Sequence, residues 1–140
     1  MDVVSAALDK LSLSTTYNLP FRLICGQVGV ITPYAAQVRK IYENIDALDL
    51  DTVSSLEIKS VDGFQGREKE LIIFSTVRAN ASRSLGFTSN WRRLNVALTR
   101  ARRGLVVIGD ESTLCTDPQW RRWIAHARKQ NCVCDDADIE

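Results

Sequence analysis

Apolar and polar positions alternate along the chain in two rhythms. Val28 to Thr32, Leu71 to Ser75 and Leu105 to Ile108 are short continuous apolar runs, and Leu56 to Val61 alternates. These segments predict four strands, three of them buried on both faces. Between them the period lengthens to that of a helix. Tyr34 to Ile45 places Val38, Ile41, Tyr42 and Ile45 on one stripe, and Trp91 to Arg102 places Leu94, Ala97, Leu98 and Ala101 on another. A further helix is predicted over 2–11 from Val3, Val4, Ala7, Leu8 and Leu11. Pro33 closes the first strand, and Gly104 takes the C-cap position after the Trp91 helix. Asp117 and Pro118 open a last helix whose stripe is Trp120, Trp123, Ile124 and Ala127, read as core packing. Asp46 to Asp51 and Ala79 to Ser89 read as polar loops.

Strands alternating with helices point to an α/β domain, with a mainly parallel sheet flanked by helices on both faces. The link from the Leu56 strand to the Leu71 strand has about ten residues, near the lower limit for a parallel crossover, so it holds only a short helical turn. Open parallel sheets bind ligands at the carboxyl ends of their strands. That directs attention to Thr32-Pro33-Tyr34, Val61 to Glu68, Thr76 to Asn80 and Gly109-Asp110-Glu111.

Composition narrows the class. The 140 residues are 45% apolar and 25% charged, as in one ordinary globular domain, which excludes disordered, collagenous and disulfide-scaffold chains. No run approaches the ~18 apolar residues of a membrane span, and the N-terminus has no basic leader. The four cysteines are read as free thiols. Cys132 and Cys134 are closer together than zinc ligands usually stand, and His126 is the single histidine. An intracellular protein, cytoplasmic or nuclear, is expected. The net charge of +1 conceals an asymmetry: residues 1–66 carry −3, residues 67–134 carry +8 and residues 135–140 carry −4. Thirteen of the eighteen basic residues are arginines, the better side chain for forked contacts to phosphate. The basic block suggests a polyanion, although a solvated basic face gives the same pattern.

Two segments carry candidate chemistry. Val61-Asp-Gly-Phe-Gln-Gly-Arg-Glu68 follows a strand, and its Gly66 lets backbone approach a bound group, with Asp62, Gln65 and Glu68 nearby. A tight polar turn accounts for it equally well. On a helix Arg93 and Arg100 stand two turns apart on one face, and no acid occurs between Trp91 and Arg103. Such a face wants an external anion, or else is solvated.

Taken together, VGVITPYAAQV, SVDGFQGREKELIIFSTVRAN and RRLNVALTRARRGLVVIGD resemble motifs IV, V and VI of superfamily 1 helicases, in the up-frameshift-like branch that includes the nonsense-mediated-decay helicase and senataxin. Order and spacing agree across residues 28–110, and the strings of motifs V and VI are long and specific. The trailing TLCTDPQWRRWIAHARKQNCV resembles that family's last helix.

The resemblance implies that residues 1–134 are the second, C-terminal RecA-like domain of a two-domain motor, a three-layer domain of P-loop NTPase type that lacks its first strand. Residues 135–140 are then a disordered acidic tail. ATP with Mg binds in the cleft shared with the first RecA-like domain, and single-stranded RNA or DNA crosses both. Arg100 matches the arginine that reaches the γ-phosphate as an arginine finger, and Arg93 matches the motif's other arginine, a support for the same site. Gly66 and Glu68 match residues beside the nucleotide, and Gln65 couples that site to the strand-binding face. Thr32, Tyr34, Ser60, Arg78 and Asn80 match positions near the nucleic acid, where contacts are sequence-independent.

The phosphate-binding loop G-x-x-x-x-G-K-[ST] occurs nowhere in the chain, and the first domain's Asp-Glu magnesium site is expected to be missing with it. Leu105 to Glu111 mimics an apolar strand with an acidic metal pair, but its place after motif VI favours a strand end with a solvated acidic turn. A fragment of a larger, monomeric helicase, inactive alone, is therefore expected, with no metal site of its own. The competing expectation is a stand-alone nucleic-acid or protein binding module with no ATPase role. RNA or DNA preference and pathway are not legible.

Overall fold

Val28 to Thr32 form β1, and every one of these five residues is buried. In the computed structural model, which describes residues 25–46, 55–76 and 85–134, β1 lies inside a four-stranded sheet of order β2-β1-β3-β4. Here β2 is Glu57–Ser60, β3 is Lys69–Ser75 and β4 is Ala101–Ile108. All three pairings are parallel. The predicted helix over 2–11, the loop residues 47–51, Arg78, Asn80 and the tail 135–140 lie outside the described residues.

The two-residue period of the strands divides the core. Ile31, Ile72 and Phe74 join Val61, Phe64, Leu94, Ala97, Leu114, Trp120 and Ile124. Val28, Val30, Leu71 and Ile73 join Ile58, Leu56, Ile41 and Ile45. The first cluster is covered by α2 (Trp91–Leu98) and α4 (Pro118–Lys129), the second by α1 (Ala35–Asp46). Continuous apolar strands follow from this arrangement, because each face meets a helix. The result is the three-layer α/β domain expected. Among the described residues no helix is long and apolar enough to cross a membrane.

The link between β2 and β3 runs from the carboxyl edge of the sheet to its amino edge. It contains the short helical turn expected, a 3-10 turn at Asp62–Phe64, and Phe64 is fully buried. Helix α4 begins as its sequence predicts. Asp117 Oδ1 accepts from the backbone N–H of Gln119 at 2.8 Å and of Trp120 at 3.1 Å, and Pro118 sits in the first turn. Trp120 is fully buried against Trp91 and Trp123, with ring centroids 5.6 and 5.7 Å away, so the tryptophans pack the core.

Two expectations need correction. The Trp91 helix ends at Leu98, not Arg102. Arg100 Nε donates to the Val96 carbonyl at 2.9 Å, the acceptor that a further turn would have used, and the Arg100 N–H turns instead to the Ala97 carbonyl at 3.2 Å. The chain then enters β4 at Ala101, opposite Lys69, four residues before the predicted strand. Gly104 is consequently no helix cap; it lies within β4 opposite Leu71, whose Cδ1 is 2.9 Å from the point a β-carbon would take. The strand end with a solvated acidic turn expected at Gly109 to Glu111 is present, since β4 ends at Ile108 and Gly109 and Glu111 are exposed. Asp110 caps the one-turn helix α3 (Glu111–Leu114), accepting from Thr113 N–H at 2.8 Å and Ser112 Oγ at 2.7 Å.

Candidate functional site

Parallel strands give the sheet two chemically distinct edges, and the predicted residues divide between them. Gly66, Glu68 and Arg100 all precede a strand, so they collect at the amino edge of β3 and β4. Thr32 and Ser60 end their strands and Tyr34 follows β1, so these occupy the carboxyl edge. The carboxyl-edge rule thus covers Thr32, Tyr34 and Ser60, whereas Gly66, Glu68 and Arg100 stand at the other edge. The chain between Val61 and Glu68 crosses from one edge to the other, so its two ends belong to different edges.

At the amino edge Gly66 adopts φ +72°, a left-handed conformation that a side chain would strain. This bend leads into Glu68 and β3. Across the strand gap the Arg100 carbonyl accepts from Lys69 N–H at 3.1 Å, which ties the turn after α2 to the start of β3. The Arg100 side chain is half-buried. Its Nε is held by the Val96 carbonyl, and its Nη2 donates to Thr99 Oγ1 at 3.2 Å. Among the described residues Arg100 forms no ion pair, and Nη1 has no partner. A guanidinium anchored on one side and open on the other can meet an external anion without losing its position.

The amino edge also holds charges that the sequence pattern did not reveal. Glu57 pairs with Arg67 and with Lys69, at 2.5 and 3.2 Å. Arg102 Nε meets Glu68 Oε2 at 3.1 Å, and its Nη1 meets Glu70 Oε1 at 3.6 Å. Arg103 Nε meets Glu70 Oε2 at 2.8 Å. The register between β3 and β4 slips here: Lys69 pairs with Ala101 but Leu71 with Gly104, so Arg102 and Arg103 share the place opposite Glu70. The hydrogen bond to Glu68, and then that carboxylate's charge, raise the Arg102 pKa above its ordinary value. Two of the five arginines of the basic run, Arg102 and Arg103, therefore meet acids at the start of the adjacent strand. Glu68-x-Glu70 facing two consecutive arginines was the available signal, hidden because β3 and β4 both start earlier than their apolar runs.

Arg93 lies near the opposite end of α2. Its Nε is 3.7 Å from Asp62 Oδ1, and its backbone N–H donates to the Asn90 cap. Helix α2 returns from the carboxyl to the amino edge; Arg93 is in its first turn and Arg100 two residues past its end, so the two stand toward opposite edges. Gln65 is exposed in the crossing segment, between the Asp62 turn and Gly66. At the carboxyl edge, Ser60 Oγ accepts from Gly63 N–H at 3.2 Å, and Tyr34 is half-buried. Thr32 and Thr76, at the ends of neighbouring strands, are fully buried, and neither hydroxyl has a hydrogen-bond partner. Among the described residues no three His, Cys, Asp or Glu side chains converge on a possible metal position.

Comparison with known proteins shows the family. Residues 1–112 match the AAA domain family. The chain is 45% identical over 113 residues to "Regulator of nonsense transcripts 1" of Dictyostelium discoideum, covering 79% of this chain and 8% of that protein. It is 44% identical over 112 residues to "ATP-dependent helicase NAM7" of Saccharomyces cerevisiae, 78% of this chain and 12% of that one. To "Helicase sen1" of Schizosaccharomyces pombe it is 41% identical over 109 residues, 77% of this chain and 6% of that one. The match thus spans only 6% to 12% of the length of these relatives.

Proposed function

Because the chain belongs to the AAA domain family, in the up-frameshift-like branch of superfamily 1 helicases, we propose that it is the second RecA-like domain of an ATP-dependent RNA or DNA helicase. In this reading the amino edge of β3 and β4 faces ATP held by a first RecA-like domain of the same full-length protein. Arg100 is the arginine finger that stabilises charge developing on the transferred phosphoryl group. Gly66 and Glu68 form the neighbouring wall. Tyr34 and Ser60, with Arg78 and Asn80, form part of the single-strand track at the carboxyl edge, and the fully buried Thr32 supports it from beneath rather than by contact. Gln65 and Arg93, on segments that connect the edges, transmit nucleotide state to the track; Arg93 supports the site through the length of α2.

The observation that carries the reading is the convergence of Gly66, Glu68 and a half-anchored Arg100 at one edge, from segments more than thirty residues apart. The anchored guanidinium of Arg100 and the open backbone at Gly66 suit the phosphate portion of ATP. In the same reading the first domain would hold the Mg that accompanies ATP, where it would neutralise phosphate charge. The chain's own contributions are a fixed guanidinium, a close backbone approach at Gly66 and a polar strand edge. The working unit is a monomer inside the cell.

The test compares this domain alone with a chain that joins it to the first RecA-like domain. The joined chain hydrolyses ATP faster when single strands are added; the isolated domain does not hydrolyse ATP and binds single strands weakly, with affinity falling as salt rises. A joined chain that binds strands with no ATP turnover would replace the motor with a binding module.

A further inference from the structure

We propose that Arg102 is a positioning residue for the nucleotide site: from the β4 bulge it fixes and neutralises the Glu68 carboxylate, so that an anionic nucleotide can approach Gly66 and Arg100. This rests on the amino edge being the nucleotide edge.

Glu68 lies between the left-handed bend at Gly66 and the first paired residue of β3, Lys69. Its side chain is 47% exposed, and nothing in its own loop restrains it. Left alone, it would set a mobile negative charge beside the position where phosphates must enter. Arg102 removes both problems. Its Nε holds Glu68 Oε2 at 3.1 Å, and its Nη1 is drawn at 3.6 Å to Glu70, which Arg103 also engages from the other side. One guanidinium spans two carboxylates in a fork that lysine's point charge does not reproduce. The register slip makes this possible by placing two consecutive arginines opposite one residue of β3. Glu68 Oε1 has no partner among the described residues, which leaves it to accept a hydrogen bond from the ligand.

Division of labour follows. Arg100, with no acid partner, meets the reacting phosphate, whereas Arg102, with two, prepares the edge. Loss of Arg102 therefore weakens nucleotide binding more than the chemical step. The pair is exposed, so the expected effect is modest, about three- to fivefold.

The experiment measures KM for ATP and kcat at fixed ionic strength, in the chain that carries both RecA-like domains. Arg102→Ala raises KM about three- to fivefold with kcat nearly constant, and Arg102→Lys recovers part of the loss. In a Glu68→Gln background, Arg102→Ala adds no further rise, because the charge it restrained is gone. Arg103→Ala removes the same charge one residue away and leaves KM unchanged. An unchanged KM in Arg102→Ala overturns the proposal, as does an equal rise in Arg103→Ala, which would indicate only a diffuse field. If Arg102→Ala is silent while Arg100→Ala abolishes turnover, the motor reading stands and this inference alone fails. If Arg100→Ala is silent too, the motor reading fails with it.

Discussion

The tip of the Phe64 ring lies 2.6 Å from the point that a β-carbon on Gly29 would occupy. Phe64 is fully buried and belongs to the segment that carries the chain from β2 to β3. Gly29 is the second residue of β1, inside the sheet, where glycine ordinarily weakens a strand. Here it makes the room that lets the crossing segment lie against the sheet, and with it Gln65 and Gly66. Gly29→Ala is expected to destabilise the domain by about 1–3 kcal/mol through overpacking, read as a lower denaturation midpoint. Equal stability of the variant and the parent would mean that the ring moves freely, contrary to its burial.

Asp117 joins two helices of the same layer. It caps α4, and its Oδ1 also accepts from Trp91 Nε1 at 3.4 Å. Asp117→Ala should cost about 1–2 kcal/mol, at the upper part of the range for caps. Trp120→Ala, which empties the centre of that layer, should cost about 3–5 kcal/mol. Urea unfolding followed by tryptophan fluorescence ranks the two, and a cap variant as damaging as the core variant would refute the ranking.

Asp110 supplies the pH dependence. Hydrogen bonds from the Thr113 hydroxyl, then from Ser112 and the Thr113 backbone, hold its pKa below the usual carboxylate range. Its stabilising effect is therefore complete above the unfolded carboxylate value, about 4, and is lost as pH falls through the lower folded value. Asp110→Asn keeps an acceptor for the cap but does not titrate. Its melting temperature should fall less steeply than the parent's on acidification below about pH 4. Parallel curves for the two proteins would remove Asp110 from the acid response.

The strands and helices that were readable from sequence are those whose apolar period matches their burial. β1 is such a case, because all five residues face a helix layer on one side or the other. The starts of β3 and β4 were hidden, since Lys69, Glu70, Arg102 and Arg103 pair as strand at the rim of the sheet, where charges stay hydrated and no apolar signal exists. The same blindness extended α2 past Leu98: Thr99 to Arg102 continues the helical spacing, but strand pairing and the Arg100 side chain on the Val96 carbonyl prevail. Arg100 was legible as a residue type through its motif. Its position was not, because the edge it occupies depends on where the helix stops.

The most direct test of the motor reading is single-turnover ATP hydrolysis by the two-domain chain carrying Arg100→Ala or Arg100→Lys, with folding checked by melting because the native side chain also holds the end of α2. The expected result is a loss of about 10³-fold or more in the hydrolysis step for Arg100→Ala, incomplete recovery in Arg100→Lys and undiminished binding of single strands without nucleotide. Near-native hydrolysis by a folded Arg100→Ala protein would contradict it.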